Sequence, residues 1–128
     1  MLPATAAVVV VADDDGGMVR DFAARVADYR RHRIVVRVMG SCASACTMVA
    51  AVDRLCVGPN ARMQFHQAFL VDPLDPNSTS IRAEDGTQLL MRHYPPKLKA
   101  WIADHGGLTK DLITLAGPAL RGIFRSCR

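Results

Sequence analysis

Ile34-Val35-Val36-Arg37-Val38-Met39-Gly40-Ser41-Cys42-Ala43-Ser44-Ala45-Cys46 is an apolar, β-branched run that gives way at a glycine to a row of small residues. Such a run reads as a buried strand, here Ile34 to Val38 ending at Gly40. Ser41 to Cys46 then leads into a helix whose Met48, Val49 and Val52 face a core. Upstream, Ala6 to Val11 is a second β-branched strand, closed by the turn Asp13-Asp14-Asp15-Gly16-Gly17. Val19, Phe22, Ala23, Val26 and Tyr29 follow at helical spacing. The order strand, glycine turn, amphipathic helix, strand is that of a parallel crossover and predicts an α/β fold.

Downstream of Ser44, short strands fit Leu55 to Val57 and Arg62 to Phe65, separated by the turn Gly58-Pro59-Asn60. Leu70 to Ser80 is rich in Pro, Asp, Asn and Ser without periodicity and reads as an exposed loop. Thr87 to Tyr94 and Lys97 to His105 read as helices broken by Pro95-Pro96 and stopped by Gly106-Gly107. Thr109 and Gly117-Pro118 are expected to open two further short helices. No repeat or linker interrupts the chain, so residues 1–128 are expected to form one domain.

Composition narrows the function classes. The 128 residues are 50% hydrophobic, enough for a core in one domain. The net charge of +4 comes from scattered basic residues. The densest group, Arg30, Arg31, His32 and Arg33, sits where a helix ends and cations offset exposed carbonyls. Arg121, Arg125 and Arg128 show helical spacing and read the same way. With 5% aromatic residues there is little to stack bases on, so nucleic acid is not an expected partner. No apolar run reaches the length of a membrane span, and Met1 to Ala12 is short and lacks a basic leader. Cys42, Cys46, Cys56 and Cys127 allow three pairings, among which the sequence does not choose. A zinc site built from them is disfavoured because no CxxC pair is present, and neither metal nor cofactor is expected.

Ser44 at a helix start and His66 at a strand end are the residues that carry chemistry. A serine becomes a nucleophile when a base takes its proton and fixed donors await the oxyanion. Helix-start N–H groups around Ser44 supply such donors. Gly17, in a Gly-Gly turn, lets backbone approach a substrate closely. Taken singly, each residue also has a bland reading, as a helix cap or a structural histidine. A thiol nucleophile at Cys42 or Cys46 is a minor alternative.

In combination the segments resemble the Clp protease proteolytic subunit family, within the crotonase-like superfamily. Asp15-Gly16-Gly17-Met18 is similar to its Ser-Pro-Gly-Gly turn, and Cys42-Ala43-Ser44-Ala45 to its Ala-Ala-Ser-Met nucleophile motif. Gly58-Pro59-Asn60-Ala61-Arg62-Met63-Gln64-Phe65-His66-Gln67 resembles its Leu-Pro-Asn-Ser-Arg segment with the following His-Gln. The resemblance spans Val8 to Phe69. It implies a ClpP/crotonase-like fold of repeated β-β-α units, with Ser44 as nucleophile, His66 as base, and the Gly17 and Ala45 N–H groups as oxyanion donors. It further implies a serine hydrolase, an ATP-independent or partner-dependent peptidase, working on peptide or protein as a homo-oligomer. A non-catalytic Clp-like scaffold or adaptor and a crotonase-type acyl-CoA enzyme are the alternatives. Cys-Ala-Ser-Ala-Cys-Thr also looks like predicted periplasmic bacterial Clp-like proteins, which suits the cysteines although no export signal is visible. The glycine turn arrives early relative to the family, so the chain reads as trimmed at its N-terminus. The resemblance sets Leu120 where the family has its triad Asp, which leaves Asp104 and Asp111 as candidate acids.

Overall fold

A computed structural model describes residues 7–68 and 83–128; the loop expected at Leu70 to Ser80 lies outside them. The fold is mixed α/β, built on a five-stranded mixed sheet. β1 is Val8–Asp14, β2 Val35–Ala43, β3 Leu55–Val57, β4 Arg62–Phe65 and β5 Ile113–Ala116. The helices are α1 Val19–Arg31, α2 Ala83–Arg92, α3 Pro96–Asp104 and α4 Gly117–Arg121, with a 3₁₀ helix at Ser44–Ala51.

The crossover expected from the sequence is present, since β1 and β2 pair in parallel around α1. β2 also pairs in parallel with β3 along Val36–Val38 and with β4 along Ser41–Ala43. The two short strands thus lie end to end on one side of β2. Between them, the Gly58 N–H still reaches the Val38 carbonyl at 2.8 Å. β5 runs antiparallel to β4, pairing Ile113 with Phe65 and Ala116 with Arg62.

Several expectations are corrected. β2 does not stop at Gly40 but runs to Ala43. Val11 pairs with Val38 and Asp13 with Ser41, so Met39 and Gly40 together oppose Ala12 in a bulge. A side chain at Gly40 would put its Cβ 1.9 Å from the Ala12 carbonyl oxygen, so glycine here marks a close approach and not a strand end. The segment after Thr109 forms β5 instead of a helix. Its four residues are too few to show a period, and the flanking glycines and proline imitate helix boundaries. The basic residues after Arg121 are not helical. The chain there lies beside β3, bridging Val57 to Ser126, with the Arg125 Nε donating to the Leu55 carbonyl at 3.3 Å.

One face of the sheet carries the core. Val11, Val36, Val38, Met63, Phe65 and Leu115 pack under Phe22 and Val26 of α1, Leu90 of α2, Leu98 and Ile102 of α3, and Leu120 of α4. Each large side chain buried this fully contributes roughly 1.5–3 kcal/mol. On the other face the exposed side chains include Val8 and Val10, with a polar row in which Ser41 Oγ reaches Gln64 Oε1 and Gln64 Nε2 reaches Thr114 Oγ1.

Candidate functional site

Parallel strands deliver their C-terminal ends to one edge of a sheet, and ligands of α/β folds collect there. β1 ends at that edge in the turn leading to α1, β2 stops just before Ser44, and β4 stops just before His66. Ala43 is the register partner of Gln64, so Ser44 and His66 leave the sheet from neighbouring strands just past their last shared pairs. Strand spacing there is about 4.8 Å.

Ser44 opens the 3₁₀ helix with φ of 59°, in the left-handed region that a non-glycine residue seldom occupies. Such a conformation persists only where its surroundings impose it. Three restraints converge on it. Thr47 Oγ1 donates to the Ser44 carbonyl at 2.6 Å. A disulfide joins Cys42 to Cys46 across Ser44. Gly16, at φ of 93°, lies against the elbow from the other side. A Cβ at Gly16 would meet the Ala43 oxygen at 2.8 Å, the Ala45 nitrogen at 2.9 Å and Ser44 Cβ at 2.9 Å. The turn itself is closed by the Gly16 N–H donating to Asp14 Oδ1 at 2.8 Å.

The glycine pair therefore divides its labour. Gly16 makes the close approach to the elbow, while a Cβ at Gly17 would meet only Phe22, at an ordinary 3.6 Å. Ser44 and Ala45 are the first two residues of their helix, so the Ala45 N–H has no carbonyl of a preceding turn to bond. The helix also has no side-chain cap at Ala43. α1 likewise starts without a side-chain cap at Met18. Both helices thus begin at the sheet edge where β1 and β2 end, and their N-terminal partial positive charges favour an anion there.

His66 is half-buried, and the chain after it is tied down on both sides. The Gln67 N–H donates to the Thr109 carbonyl at 2.7 Å, and the Ala68 N–H to Thr87 Oγ1 at 3.0 Å. The imidazole Nδ1 bonds the Gln67 carbonyl. A carbonyl only accepts, so Nδ1 carries the proton and the lone pair of the neutral ring is on Nε2.

The resemblance sets Leu120 at the position of the family's triad Asp. Leu120 is buried in the core on α4, which follows the end of β5 that pairs with Arg62, at the opposite edge from His66. β4 and β5 stop pairing at Phe65 and Ile113, and past them the Gln67 N–H bonds the Thr109 carbonyl, so Asp111 and Leu112 lie between that bond and the start of β5. Leu112 is 55% exposed, and Asp104 is exposed where α3 ends.

All four cysteines are paired, Cys42 with Cys46 and Cys56 with Cys127. The alternative of a cysteine nucleophile at Cys42 or Cys46 is thereby corrected, because neither keeps a free thiol. Sequence reading missed the pairings and the buried pair of Thr47 and Tyr94 under the elbow. The spacing of four between Cys42 and Cys46 was a signal for the first; nothing local links Thr47 to Tyr94. Neither a protein-family model nor a curated protein matches the chain.

Proposed function

We propose that this protein is a serine hydrolase of the Clp-protease-like type, with a ClpP/crotonase-like fold, cleaving peptide or protein substrates. The observation that carries the reading is the left-handed Ser44 between the Gly16 turn and the helix start, on the strand neighbouring the one that ends at His66.

In this reading His66 Nε2 takes the Ser44 Oγ proton as Oγ attacks the substrate carbonyl. The N–H groups of Gly17 and Ala45 receive the oxyanion. Collapse expels the amine, which takes the proton from His66, and water activated by the same base releases the acyl group. The Gln67 carbonyl holds the ring in the tautomer this sequence needs, a task that a buried carboxylate performs in the serine protease template. A crotonase-type acyl-CoA enzyme would use backbone donors alone and would not need a serine presented in a strained conformation. The strain at Ser44 therefore favours the hydrolase.

Two disulfides in a chain of this size support maturation in an oxidising compartment such as the bacterial periplasm. The edge position of β1, with Val8 and Val10 exposed, supports a homo-oligomer. No helix among the described residues is long and apolar enough to cross a membrane.

The test is covalent labelling by a fluorophosphonate, read by mass at Ser44. Labelling that vanishes in Ser44→Ala and in His66→Ala supports the hydrolase. A wild-type protein that is not labelled favours the non-catalytic scaffold.

A further inference from the structure

The Cys42–Cys46 disulfide sits in an unusual place: it encloses the candidate nucleophile. Cys42 lies one residue before the end of β2, Cys46 is the third residue of the 3₁₀ helix, and Ser44 is midway between them. The covalent ring therefore has one foot in the sheet and the other in the helix. Both cysteines are 0% exposed and stand among the core residues.

We infer that this bridge is a positioning device for Ser44, fixing the left-handed elbow, while the global fold leans on the other bridge. The inference rests on the serine hydrolase reading for its catalytic consequence, and on geometry alone for its structural one. A disulfide constrains the unfolded chain more as the loop it closes grows. Cys42 and Cys46 are four apart, whereas Cys56 and Cys127 are 71 apart and staple the C-terminal segment to β3. The short bridge is thus the weaker global staple. Its effect is local, on the residues it encircles. Those residues include Ser44, the one non-glycine residue with positive φ at this sheet edge among the described residues. A left-handed residue relaxes unless its neighbours over-determine it. Without the bridge, Thr47 and Gly16 would hold Ser44 from the helix and turn sides only, and the cross-link that closes Cys42 onto Cys46 around it would be gone. Oγ would then move relative to the Ala45 N–H and His66, and misplacement of about 1 Å costs on the order of a hundredfold in rate.

The experiment compares Cys42→Ala/Cys46→Ala with Cys56→Ala/Cys127→Ala and with the wild type. The readouts are fluorophosphonate inactivation split into its maximal rate and half-saturation concentration, the urea midpoint, and the backbone carbon shifts of Ser44. The first variant is expected to fold, to lose the left-handed shift signature of Ser44, and to fall at least about tenfold in maximal rate at an unchanged half-saturation concentration. The second is expected to lose more stability yet keep both the Ser44 shifts and the maximal rate. Unchanged Ser44 shifts in the first variant overturn the inference, whether or not the wild type is labelled. A wild type that is not labelled, but whose Ser44 shifts depend on the bridge, refutes the hydrolase and leaves the positioning role standing. Cys42→Val/Cys46→Ala restores lost volume if the double alanine is unstable, and its failure to fold as well shows the bridge to be a global staple and overturns the inference.

Discussion

The Tyr94 hydroxyl stands 2.6 Å from Thr47 Oγ1 in the core. Thr47 already donates its own proton to the Ser44 carbonyl, so the phenol must be the donor and Thr47 the acceptor. Phe65, the last residue of β4 before His66, packs edge-on against the Tyr94 ring at 5.4 Å. A single buried side chain beyond the site thus touches supports of both Ser44 and His66. Burial raises the Tyr94 pKa above its ordinary range, and the Thr47 bond offsets only part of that rise.

Thr47→Val should therefore cost more than Tyr94→Phe. The valine leaves a buried phenol and the Ser44 carbonyl without their partner, at about 1–3 kcal/mol for each buried group left unsatisfied. The phenylalanine leaves Thr47 still bonded to Ser44 and should cost about 1 kcal/mol. Urea unfolding of the two variants measures the difference, and equal costs would contradict the donor order.

The same phenol makes a pH prediction. Its folded pKa lies above the unfolded value of 10.0, so its contribution to stability is complete below pH 10 and is lost as the pH rises toward the folded pKa. The unfolded chain gives up the proton first. Wild-type stability should fall more steeply above pH 10 than that of Tyr94→Phe, as measured by urea midpoints across that window; parallel curves would show that Tyr94 titrates normally.

Gly16 and Gly17 should separate cleanly. An alanine at Gly16 would need a left-handed φ and would press on the backbone of Ala43 and Ala45, for a cost of at least about 2 kcal/mol. At Gly17 an alanine meets only Phe22, and the change should stay within about 0.5 kcal/mol. Thermal unfolding of both checks this. Ser44→Gly should likewise be about 1 kcal/mol more stable than Ser44→Ala, because glycine adopts φ of 59° without the steric cost.

These residues also show which parts of the fold were legible. The crossover from β1 through α1 to β2 could be read because its strands are continuously apolar and its helix has a clear period. Gly40 was misread because a glycine in a strand looks like an end, and only the neighbouring chain shows that it admits the Ala12 carbonyl. β5 was invisible because its pairing with β4 is set by tertiary contact and not by its own four residues. Ser44 and His66 were legible as residue types at element ends. The strain at Ser44, the bridge around it and the support from Tyr94 depend on partners that sequence spacing does not reveal.

In the proposed hydrolase, Asp104 and Asp111 are the carboxylates to test beside Ser44 and His66. Asp104 ends α3, and Asp111 lies between β5 and the Thr109 carbonyl that the Gln67 N–H bonds. If the Gln67 carbonyl is what holds the imidazole, neither carboxylate is needed, and Asp104→Asn and Asp111→Asn should each leave the acylation rate of a small activated ester within about twofold. A carbonyl dipole stabilises the imidazolium less than a carboxylate does, and loss of the acid in the serine protease template costs on the order of ten-thousandfold in kcat. Where the Gln67 carbonyl acts alone, wild-type turnover should accordingly be slow. Stopped-flow acylation of wild type and both variants checks this. A collapse in Asp104→Asn or in Asp111→Asn would make that residue the acid and overturn the role given to the Gln67 carbonyl.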